Sequence, residues 1–571
     1  MKNSLTTGEL GLTAVLTQAI EPEPEHEETG VCRTVVLSWT PGAFANMHDV
    51  YFGTSFADVN EATTASEVYL GRQSETTYAT DRLELVQDYY WRVDEVNGAN
   101  AESPWIGEVW NFEVEPVSYP IAAGLTVTAS SQNTADEGPE KTIDGSGLES
   151  DDTHSQASET MWRSAESEPG ETWIQYEFGQ LYNLSELVIW NHNTEFETSL
   201  GFGIKEAKIE ISVDGQDFTP LVTTELAQVD KSTVDAQGAL AKAVRITAMS
   251  NWDSSKQYGL SEIQFLAIPL AARKMSPADG TILSGLTAEL SWCAGRQAEF
   301  HDVYIGTDMQ AVINGNAPVE RVNTTQYTAE FDLLDATYYW KVNEVNEAEV
   351  PAVWEGPVQS FTTTAFLVLE NFDDYNVSDN QIWWSWKDGL GYVEHDGLPA
   401  YDGNGTGSAV GDETTATFME MNIFQGGTQS MPVWYDNNKQ DFAKYSETAL
   451  TLPAGKRDWT TGSPVELSLW FRGEAPNTAE RLYVAVANTA VVYHEDQNAT
   501  QLTDWTEWII PLETLAGQGV SLTNVDSIAI GLGTRDNATI PGGKGKMYFD
   551  EIRLYPDRST MVSTTVPDVG F

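Results

Sequence analysis

Residues 37–59 read LSWTPGAFANMHDVYFGTSFADV, and residues 290–312 read LSWCAGRQAEFHDVYIGTDMQAV. A second related pair follows, YYWRVDEVN at 89–97 and YYWKVNEVN at 338–346. Apolar and polar residues alternate in these segments between turn-forming residues, which is the pattern of β-strands. Self-similarity at a separation of about 250 residues predicts two copies of one β-rich module, with other domains between and after them.

Each copy has the length of a seven-stranded sandwich, and its YYW segment resembles the central core strand of fibronectin-type-III modules. The second copy opens with SPADGT at 276–281, whereas the first has ETGVCRT at 28–34. The opening strand of the first copy is therefore missing, irregular or supplied by another segment. The preceding EPEPEHEE at 21–28 is typical of a linker.

Composition narrows the class of protein. The 571 residues contain 86 acidic and 30 basic side chains, a net charge of −56, which argues against nucleic acid and anionic membrane surfaces as partners. Hydrophobic residues make up 41% of the chain and no stretch has the length of a membrane span, so we expect several folded domains and no membrane insertion. Only two cysteines occur, Cys32 and Cys293, at non-equivalent positions of the two copies, and a bridge between them requires the copies to touch.

The segment between the copies resembles the discoidin (coagulation factor type-C) module, an eight-stranded jelly roll. Its motifs occur in that family's order: an ASS opening, an IDG loop, a Trp, WIQYEFG, ISVDGQDF and finally GLSEI at 259–263. The last segment resembles jelly-roll carbohydrate-binding modules, because it opens with LENF at 369–372 and closes with FDEIRL at 549–554. This combination resembles multidomain secreted proteins of planctomycete-type bacteria.

The predicted fold is all-β, with two immunoglobulin or fibronectin-type-III-like sandwiches alternating with two jelly rolls. The predicted units are an N-terminal extension or linker (1–30, a candidate assembly strand), repeat 1 (31–116), a discoidin-like jelly roll (117–269), repeat 2 (270–365), a carbohydrate-binding-like jelly roll (366–557) and a tail (558–571).

The discoidin resemblance implies a structural calcium site, because a loop and the last strand of that family meet around one ion. Calcium takes oxygen ligands from carboxylates, hydroxyls and carbonyls. The corresponding residues are Lys141 through its carbonyl, Asp144, Thr160 and Glu262. The loop before Trp162 is longer than in the family, and its Glu149, Asp151 and Asp152 are either further ligands or a solvated acidic loop. The resemblance of the last segment implies a second calcium site at Glu370, Asp373 and Asp550, for which surface carboxylates are an equal alternative.

Carbohydrate contacts require aromatic faces and hydrogen-bonding groups on exposed loops. In the discoidin-like segment we expect Asn191, His192, Phe196 and Trp252 to be exposed on loops. In the last segment the candidates are Trp384, Trp434 and Tyr435, although most Trp residues of a sandwich lie in its core.

The sequence contains none of the common catalytic or nucleotide-binding motifs. His48 and His301 recur at equivalent positions, which favours a structural role. We therefore expect a non-catalytic protein of the cell surface or extracellular space, stabilised by calcium and binding carbohydrate. Two alternatives remain: a subunit of a surface layer or fibre that assembles through β-strand contacts, and the binding portion of a glycan-degrading enzyme.

Overall fold

The computed structural model describes residues 15–149, 153–253, 255–395 and 398–559. Nearly all regular structure in these ranges is β-strand, built into several sandwiches, so the all-β prediction is confirmed. Asp151, Asp152, the first fourteen residues and most of the predicted tail lie outside the described residues. Within them, every helix is too short or too polar to cross a bilayer.

Repeat 1 is a sandwich of a three-stranded and a five-stranded sheet. Its elements are β1 (Ile20–Glu23), β2 (Glu28–Val31), β3 (Val36–Thr40), β4 (Met47–Gly53), α1 (Phe56–Asn60), β5 (Tyr69–Gln73), β6 (Thr77–Ala79), β7 (Asp88–Val96) and β8 (Trp110–Val114). The sheet orders are β1-β3-β6 and β2-β8-β7-β4-β5. Alternate residues of these strands, among them Leu37, Trp39 and Trp91, form the core between the two sheets.

The jelly roll that follows is dominated by two long strands that bend through the domain. Its elements are β9 (Tyr119–Pro120), β10 (Thr126–Ala129), β11 (Trp162–Arg163), β12 (Trp173–Asn191), α2 (Glu197–Leu200), β13 (Ile204–Ser212), β14 (Thr219–Glu225), β15 (Lys231–Asn251) and β16 (Gly259–Ile268), with single 3-10 turns at Pro139–Thr142 and Ser158–Thr160. The order is β11-β16-β12-β15-β13-β14, with β10 on β12 and β9 on β16. The last strand, β16, thus pairs with β11 on one side and with the second half of β12 on the other.

Repeat 2 has the topology of repeat 1. Its elements are β17 (Arg273–Ser276), β18 (Thr281–Ile282), β19 (Thr287–Cys293), β20 (Phe300–Gly306), α3 (Met309–Ile313), β21 (Val319–Val322), β22 (Gln326–Glu330), β23 (Thr337–Val345), β24 (Val353–Glu355) and β25 (Gln359–Thr362). The sheets are β17-β19-β22 and β18-β25-β23-β20-β21, with β24 added on β23.

The first copy has its opening strands after all. β1 pairs with β3 as β17 pairs with β19, and β2 runs parallel to β8 as β18 runs parallel to β25. β1 and β17 start at residues 20 and 273, which are separated by the same 253 residues as the LSW segments. Residues 20–30, predicted as part of the N-terminal extension or linker, therefore belong to the repeat 1 sandwich, and no other segment in the part of the chain that the structure describes supplies its opening strands.

The repeated histidines are buried and fix a loop in each copy. His48 Nδ1 lies 2.5 Å from Glu95 Oε2, and Glu95 Oε1 accepts a hydrogen bond of 3.1 Å from Gly42 N. His301 contacts Glu344 in the same way in repeat 2. Since neither histidine is accessible, both have the structural surroundings that their recurrence predicts.

The two repeats contact each other directly although a domain of about 150 residues separates them in sequence. Cys32 and Cys293 form a disulfide with Cα atoms 5.4 Å apart. Glu115 at the end of repeat 1 is buried and pairs with Arg273 and with Arg296, whose Nη1 lies 2.6 Å from Glu115 Oε1. The discoidin-like jelly roll is therefore inserted in the chain between two sandwiches that contact each other.

The last unit is a second jelly roll with two facing sheets. Its elements are β26 (Leu367–Glu370), α4 (Ile382–Ser385), β27 (Trp386–Lys387), β28 (Ser408–Val410), β29 (Met431–Asp436), β30 (Ser446–Thr451), β31 (Glu466–Arg472), β32 (Leu482–Val486), β33 (Ala490–Tyr493), β34 (Thr506–Pro511), α5 (Leu512–Gly517), β35 (Ser527–Leu532) and β36 (Lys544–Tyr555), with 3-10 turns at Ala454–Lys456 and Ala499–Gln501. The sheets are β28-β29-β36-β31-β34, with β26 on β36, and β27-β30-β35-β32-β33. The first and last strands pair, as the end motifs predict.

Candidate functional site

Two carboxylates meet beside the last strand of the discoidin-like jelly roll. Asp144 follows the 3-10 turn Pro139–Thr142, and Gly145 adopts a φ of +73° that turns the chain back. Ser146 N donates a 2.8 Å hydrogen bond to Asp144 Oδ1, which fixes the carboxylate. Glu262 lies on β16, opposite Trp190 of β12, and only 3% of it is exposed.

The hydrogen bonds to Glu262 do not compensate for the burial of its carboxylate and for the nearby negative charge of Asp144. Burial, and then the charge of Asp144, raise its pKa to about 8, and the Gly145 N–H offsets this only in part. Its Oε2 has no hydrogen-bond partner among the described residues. Lys141 Nζ lies 3.3 Å from Asp144 Oδ2 on the more exposed side. A buried carboxylate in this situation is stabilised either by a proton or by a bound cation.

Neutral oxygens complete this cluster. A Cβ placed on Gly147 would lie 3.2 Å from the carbonyls of both Thr160 and Ser261, so these carbonyls converge where residue 147 has no side chain. Ser261 Oγ is buried and has no partner in the described structure. The Thr160 hydroxyl donates to Ala157 O instead, at 2.7 Å. Neither Ser261 nor Gly147 is predicted from the sequence as part of the site, although Ser261 directly precedes Glu262.

This donor set fits a calcium ion. Two carboxylates with hydroxyl and carbonyl oxygens are the ligands that calcium prefers, and the unpartnered Glu262 oxygen is the observation that a cation would explain. No group of three or more His, Cys, Asp or Glu side chains suited to a metal occurs in the described ranges. The site would therefore depend on its carbonyl and hydroxyl oxygens. Glu149, whose N–H bonds to Thr153 O, lies in the neighbouring loop.

Two of the predicted exposed loop residues are in fact buried. Asn191 donates to Ile204 O at 2.8 Å and accepts from Ile204 N at 3.0 Å, which ties the end of β12 to β13. His192 Nδ1 lies 2.6 Å from Glu197 Oε2, and neither side chain is accessible. The sequence expectation is wrong for both because β12 continues to Asn191 inside the domain, and a saccharide cannot reach either side chain.

The same end of the jelly roll carries exposed aromatic faces. Phe196, the residue directly before the short helix α2, is 62% exposed. Trp252 is half-buried, and Lys205 Nζ lies over its ring at 4.7 Å from the centroid. Its backbone N–H donates to Gly201 O at 3.2 Å. The predicted Phe196 and Trp252 thus lie on adjacent loops.

A polar network that the sequence did not reveal borders these loops. Arg163 stacks over the Phe202 ring at 4.8 Å and pairs with buried Glu137 at 2.7 Å. Glu137 also accepts from Asn133 Nδ2 at 2.6 Å, and Gln257 Nε2 donates to Asn133 Oδ1 at 3.0 Å. Aromatic faces beside planar hydrogen-bonding groups suit a ligand with both apolar C–H faces and hydroxyls.

The carboxylates of the last domain are already bound to protein donors. Glu370 accepts from Phe372 N at 3.0 Å and Tyr375 Oη at 2.8 Å. Asp373 accepts from Thr428 N at 2.7 Å. Asp550 accepts from Gln425 N at 2.7 Å, and burial raises its pKa to about 7. These hydrogen bonds use part of the acceptor capacity of the three carboxylates, which form no group suited to a metal among the described residues. Calcium here stays a prediction from sequence.

The aromatic candidates of the last domain differ in accessibility. Trp434 is 45% exposed on β29, with Lys546 Nζ at 4.8 Å from its ring. Its neighbour Tyr435 faces the core, and its hydroxyl donates to Thr478 O at 2.7 Å, so it does not suit ligand contact. Trp384 is half-buried and stacks on His395, with ring centroids 4.9 Å apart.

Residues 126–263 match the family model of the F5/8 type C domain, which confirms the discoidin resemblance of this segment. The match begins with β10 and ends within β16, so it includes Asp144, Thr160 and Glu262. No curated protein is significantly similar to the chain.

Solved structures similar to this chain cover about a quarter of it. A family 32 carbohydrate-binding module of NanJ from Clostridium perfringens, in complex with galactose, is 17% identical over 26% of this chain and 99% of that chain, with a TM-score of 0.22. Chitosan-binding module 1 from a Paenibacillus sp. IK-5 chitosanase/glucanase is 21% identical over 26% of this chain and 98% of that chain, with a TM-score of 0.20.

A family 89 glycoside hydrolase from Clostridium perfringens, in complex with PUGNAc, is 22% identical over 26% of this chain, with a TM-score of 0.21. This chain spans only 14% of that enzyme. At TM-scores this low, the likenesses carry no argument about function.

Proposed function

We propose that this chain is a non-catalytic extracellular protein that binds carbohydrate through its jelly-roll domains. The observation that carries the proposal is the F5/8 type C match at residues 126–263, together with the exposed Phe196 and the half-buried Trp252 beside the Arg163–Glu137 network. An aromatic ring packs against the C–H face of a sugar, while arginine, carboxylate and amide groups bind its hydroxyls. Trp434 offers a second aromatic face on the last domain.

A glycan array followed by calorimetry tests this proposal. Phe196→Ala and Trp252→Ala are expected to weaken binding of the selected glycan by about tenfold or more, since aromatic contacts dominate such sites. Val213→Ala is the matched control, because Val213 is an exposed apolar residue on a turn of the same domain. Absence of binding to every glycan tested, or equal losses in all three variants, would contradict the proposal.

Calcium in this proposal is structural. Asp144 and Glu262 would hold the ion, with the Thr160 and Ser261 carbonyls nearby, and the ion would fix the 144–147 turn to β16. Calorimetric titration with calcium is expected to show one site in this domain, lost in Glu262→Gln and kept in Asp217→Asn, a control carboxylate that is exposed in the same domain. If Glu262→Gln binds calcium as the parent protein does, this assignment fails.

Extracellular localisation is supported by the Cys32–Cys293 disulfide, because such bonds form and persist in oxidising compartments. The strongly acidic composition agrees with a protein kept soluble outside the cell.

Assembly into a surface layer or fibre remains the second candidate, and one observation favours it. Val15, Leu16, Phe44 and Ile106 are exposed apolar residues of repeat 1. They are neighbours, since Ala43 N donates to Leu16 O at 2.9 Å and Phe44 lies 6.2 Å from Trp105, the residue before Ile106. Sedimentation of the parent protein and of Phe44→Ser over a range of concentrations tests this: self-association that Phe44→Ser abolishes supports assembly, and a monomer at all concentrations excludes it.

A further inference from the structure

A cleft with a volume of about 710 Å³ separates the two repeats. One wall comes from β2, the residues after it and the end of β6, and the other comes from repeat 2 around Lys274, Arg296 and the 323–326 turn. Its volume lies in the range of ligand-binding cavities, which often occur between domains. Its lining combines polar and apolar surface in similar proportions.

The two walls are held in a fixed relation. The Cys32–Cys293 disulfide joins them covalently, and buried Glu115 of repeat 1 pairs with two arginines of repeat 2. Lys274 Nζ donates to Gly30 O at 2.7 Å across the boundary, and Arg82 Nη2 donates to Arg296 O at 3.2 Å. A cleft fixed in this way loses little conformational freedom when it binds a ligand.

Cationic groups with unused donors line this cleft. Arg82 and Lys274 form no ion pair with a carboxylate in the described part of the chain, and each makes one hydrogen bond to a backbone carbonyl. Arg33 donates through Nε to Leu83 O at 2.7 Å, and its nearest carboxylate among the described residues is that of exposed Glu84, at 3.9 Å. A guanidinium carries five N–H donors and an ammonium three, so most of the donors of Arg82 and Lys274 are free for an anion.

Groups suited to hydroxyls accompany these cations. Asn323 and Gln326 are exposed on the repeat 2 wall, the same wall as Lys274, and Glu23, Glu28 and Glu299 add acceptors. Mixed charges of this kind do not favour a long polyanion, which the net charge of −56 would also repel. They suit a small molecule that combines one or a few negative charges with many hydroxyls.

We propose that the cleft between the two repeats binds a short acidic oligosaccharide, its anionic group facing Arg82 and Lys274 and its hydroxyls facing Asn323 and Gln326. This site is separate from the discoidin-like loops and requires no ligand there. It gives the two repeats a binding role in addition to their role as spacers.

Calorimetry on the full chain with trigalacturonate, a sulfated disaccharide and a neutral trisaccharide tests the proposal. Binding of trigalacturonate or of the sulfated sugar, but not of the neutral one, is expected, and the two acidic probes distinguish a carboxylate from a sulfate ligand. Arg82→Gln with Lys274→Gln is expected to weaken acidic-sugar binding by about tenfold or more. Lys242→Gln, an exposed cation of the discoidin-like domain, is the control and is expected to bind as the parent does.

Two results would overturn the proposal. One is no binding of either acidic probe, and the other is unchanged affinity in the double variant. Both substituted side chains are exposed and each gives up one hydrogen bond across the boundary. Only a small decrease in the thermal midpoint is therefore expected, because the disulfide and the Glu115 ion pairs remain, and the scan confirms that each variant folds. If Phe196→Ala rather than the double variant abolishes acidic-sugar binding, the cleft proposal fails while glycan binding by the jelly roll stands.

Discussion

Cys32 and Cys293 form a disulfide with Cα atoms 5.4 Å apart, although they occupy different positions in the two repeats. Cys32 follows β2 of the first copy, whereas Cys293 ends β19 of the second. The bond therefore does not stabilise one repeat but joins two, and it closes a loop that contains the whole discoidin-like jelly roll.

Reduction of this disulfide is expected to destabilise the joined repeats. A crosslink between distant residues restricts the unfolded chain, and its loss costs about 2–4 kcal/mol in typical proteins. Calorimetric scans with and without reductant are expected to show a lower midpoint for the repeats and an unchanged one for the last jelly roll. Cys32→Ser with Cys293→Ser reproduces the reduced profile and no longer responds to reductant. If reductant does not change the midpoint of the repeats in the parent protein, the prediction is contradicted.

Glu115 is expected to be the main non-covalent support of the same interface. Burial alone would raise its pKa, but hydrogen bonds and charges from Arg296 and Arg273 outweigh burial and lower it. Glu115→Gln leaves two arginines without their carboxylate and is expected to destabilise the repeats by about 3 kcal/mol. Chemical unfolding measures this, with Glu113→Gln as control, a half-exposed carboxylate on β8 two residues before Glu115.

The lowered pKa of Glu115 also fixes the sign of a pH effect. Its stabilising contribution is present above the unfolded-state value of 4.5 and is lost as the pH falls through the lower folded value. The parent protein is thus expected to lose stability on acidification below about pH 4.5 to a greater extent than Glu115→Gln. Equal acid sensitivity of the two proteins would show that this carboxylate is not responsible.

The repeats illustrate how much the sequence predicts. LSW, HDVY and YYW are strongly alternating segments, so both sandwiches and their boundaries on the C-terminal side follow from the pattern. Residues 20–24 read IEPEP and residues 273–277 read RKMSP, two segments with only the final proline in common. The backbone is nevertheless equivalent, since Glu21 and Lys274 both adopt positive φ, as do Glu27 and Gly280. Residues 20–24, with their acidic side chains and two prolines, have the composition of a linker. Only their pairing with β3 in the structure identifies them as a strand.

The candidate site could be predicted only in part, because only some of its residues belong to local sequence motifs. Asp144 and Glu262 belong to recognisable motifs, and the structure brings them together. Asn191 and His192 follow an apolar strand and therefore resemble the start of a loop. Their burial depends on contacts with Ile204 and Glu197, which local alternation does not encode. The Arg163–Glu137 pair joins β11 to a loop 26 residues earlier in the chain and carries no local signal.

Gly147→Ala is expected to disturb the calcium site without changing any ligand. The added methyl group would lie 3.1 Å from Ser261 Oγ and 3.2 Å from the Thr160 and Ser261 carbonyls, so these oxygens must move apart. Calcium affinity is expected to fall by about tenfold, since calcium sites depend on ligand position. Gly179→Ala is the control because the nearest atom to its added methyl group, Gly124 O, would lie at an ordinary contact distance of 3.8 Å. Equal calcium affinity in both variants would place the ion elsewhere.

Calcium is expected to reverse the pH dependence of stability that Glu262 imposes on the metal-free domain. Its pKa is raised from 4.5 to about 8, so the folded state binds the proton more tightly than the unfolded state does. The stabilising contribution is therefore complete below pH 4.5 and is lost as the pH rises towards about 8. In chelator, the thermal midpoint of this domain is expected to fall between pH 5 and pH 8, by more than in Glu262→Gln. With calcium present the ionised carboxylate is the ligand, protons compete with the ion, and the midpoint is expected to rise over the same interval. A midpoint with the same pH dependence in chelator and in calcium would show that no ion binds at Glu262.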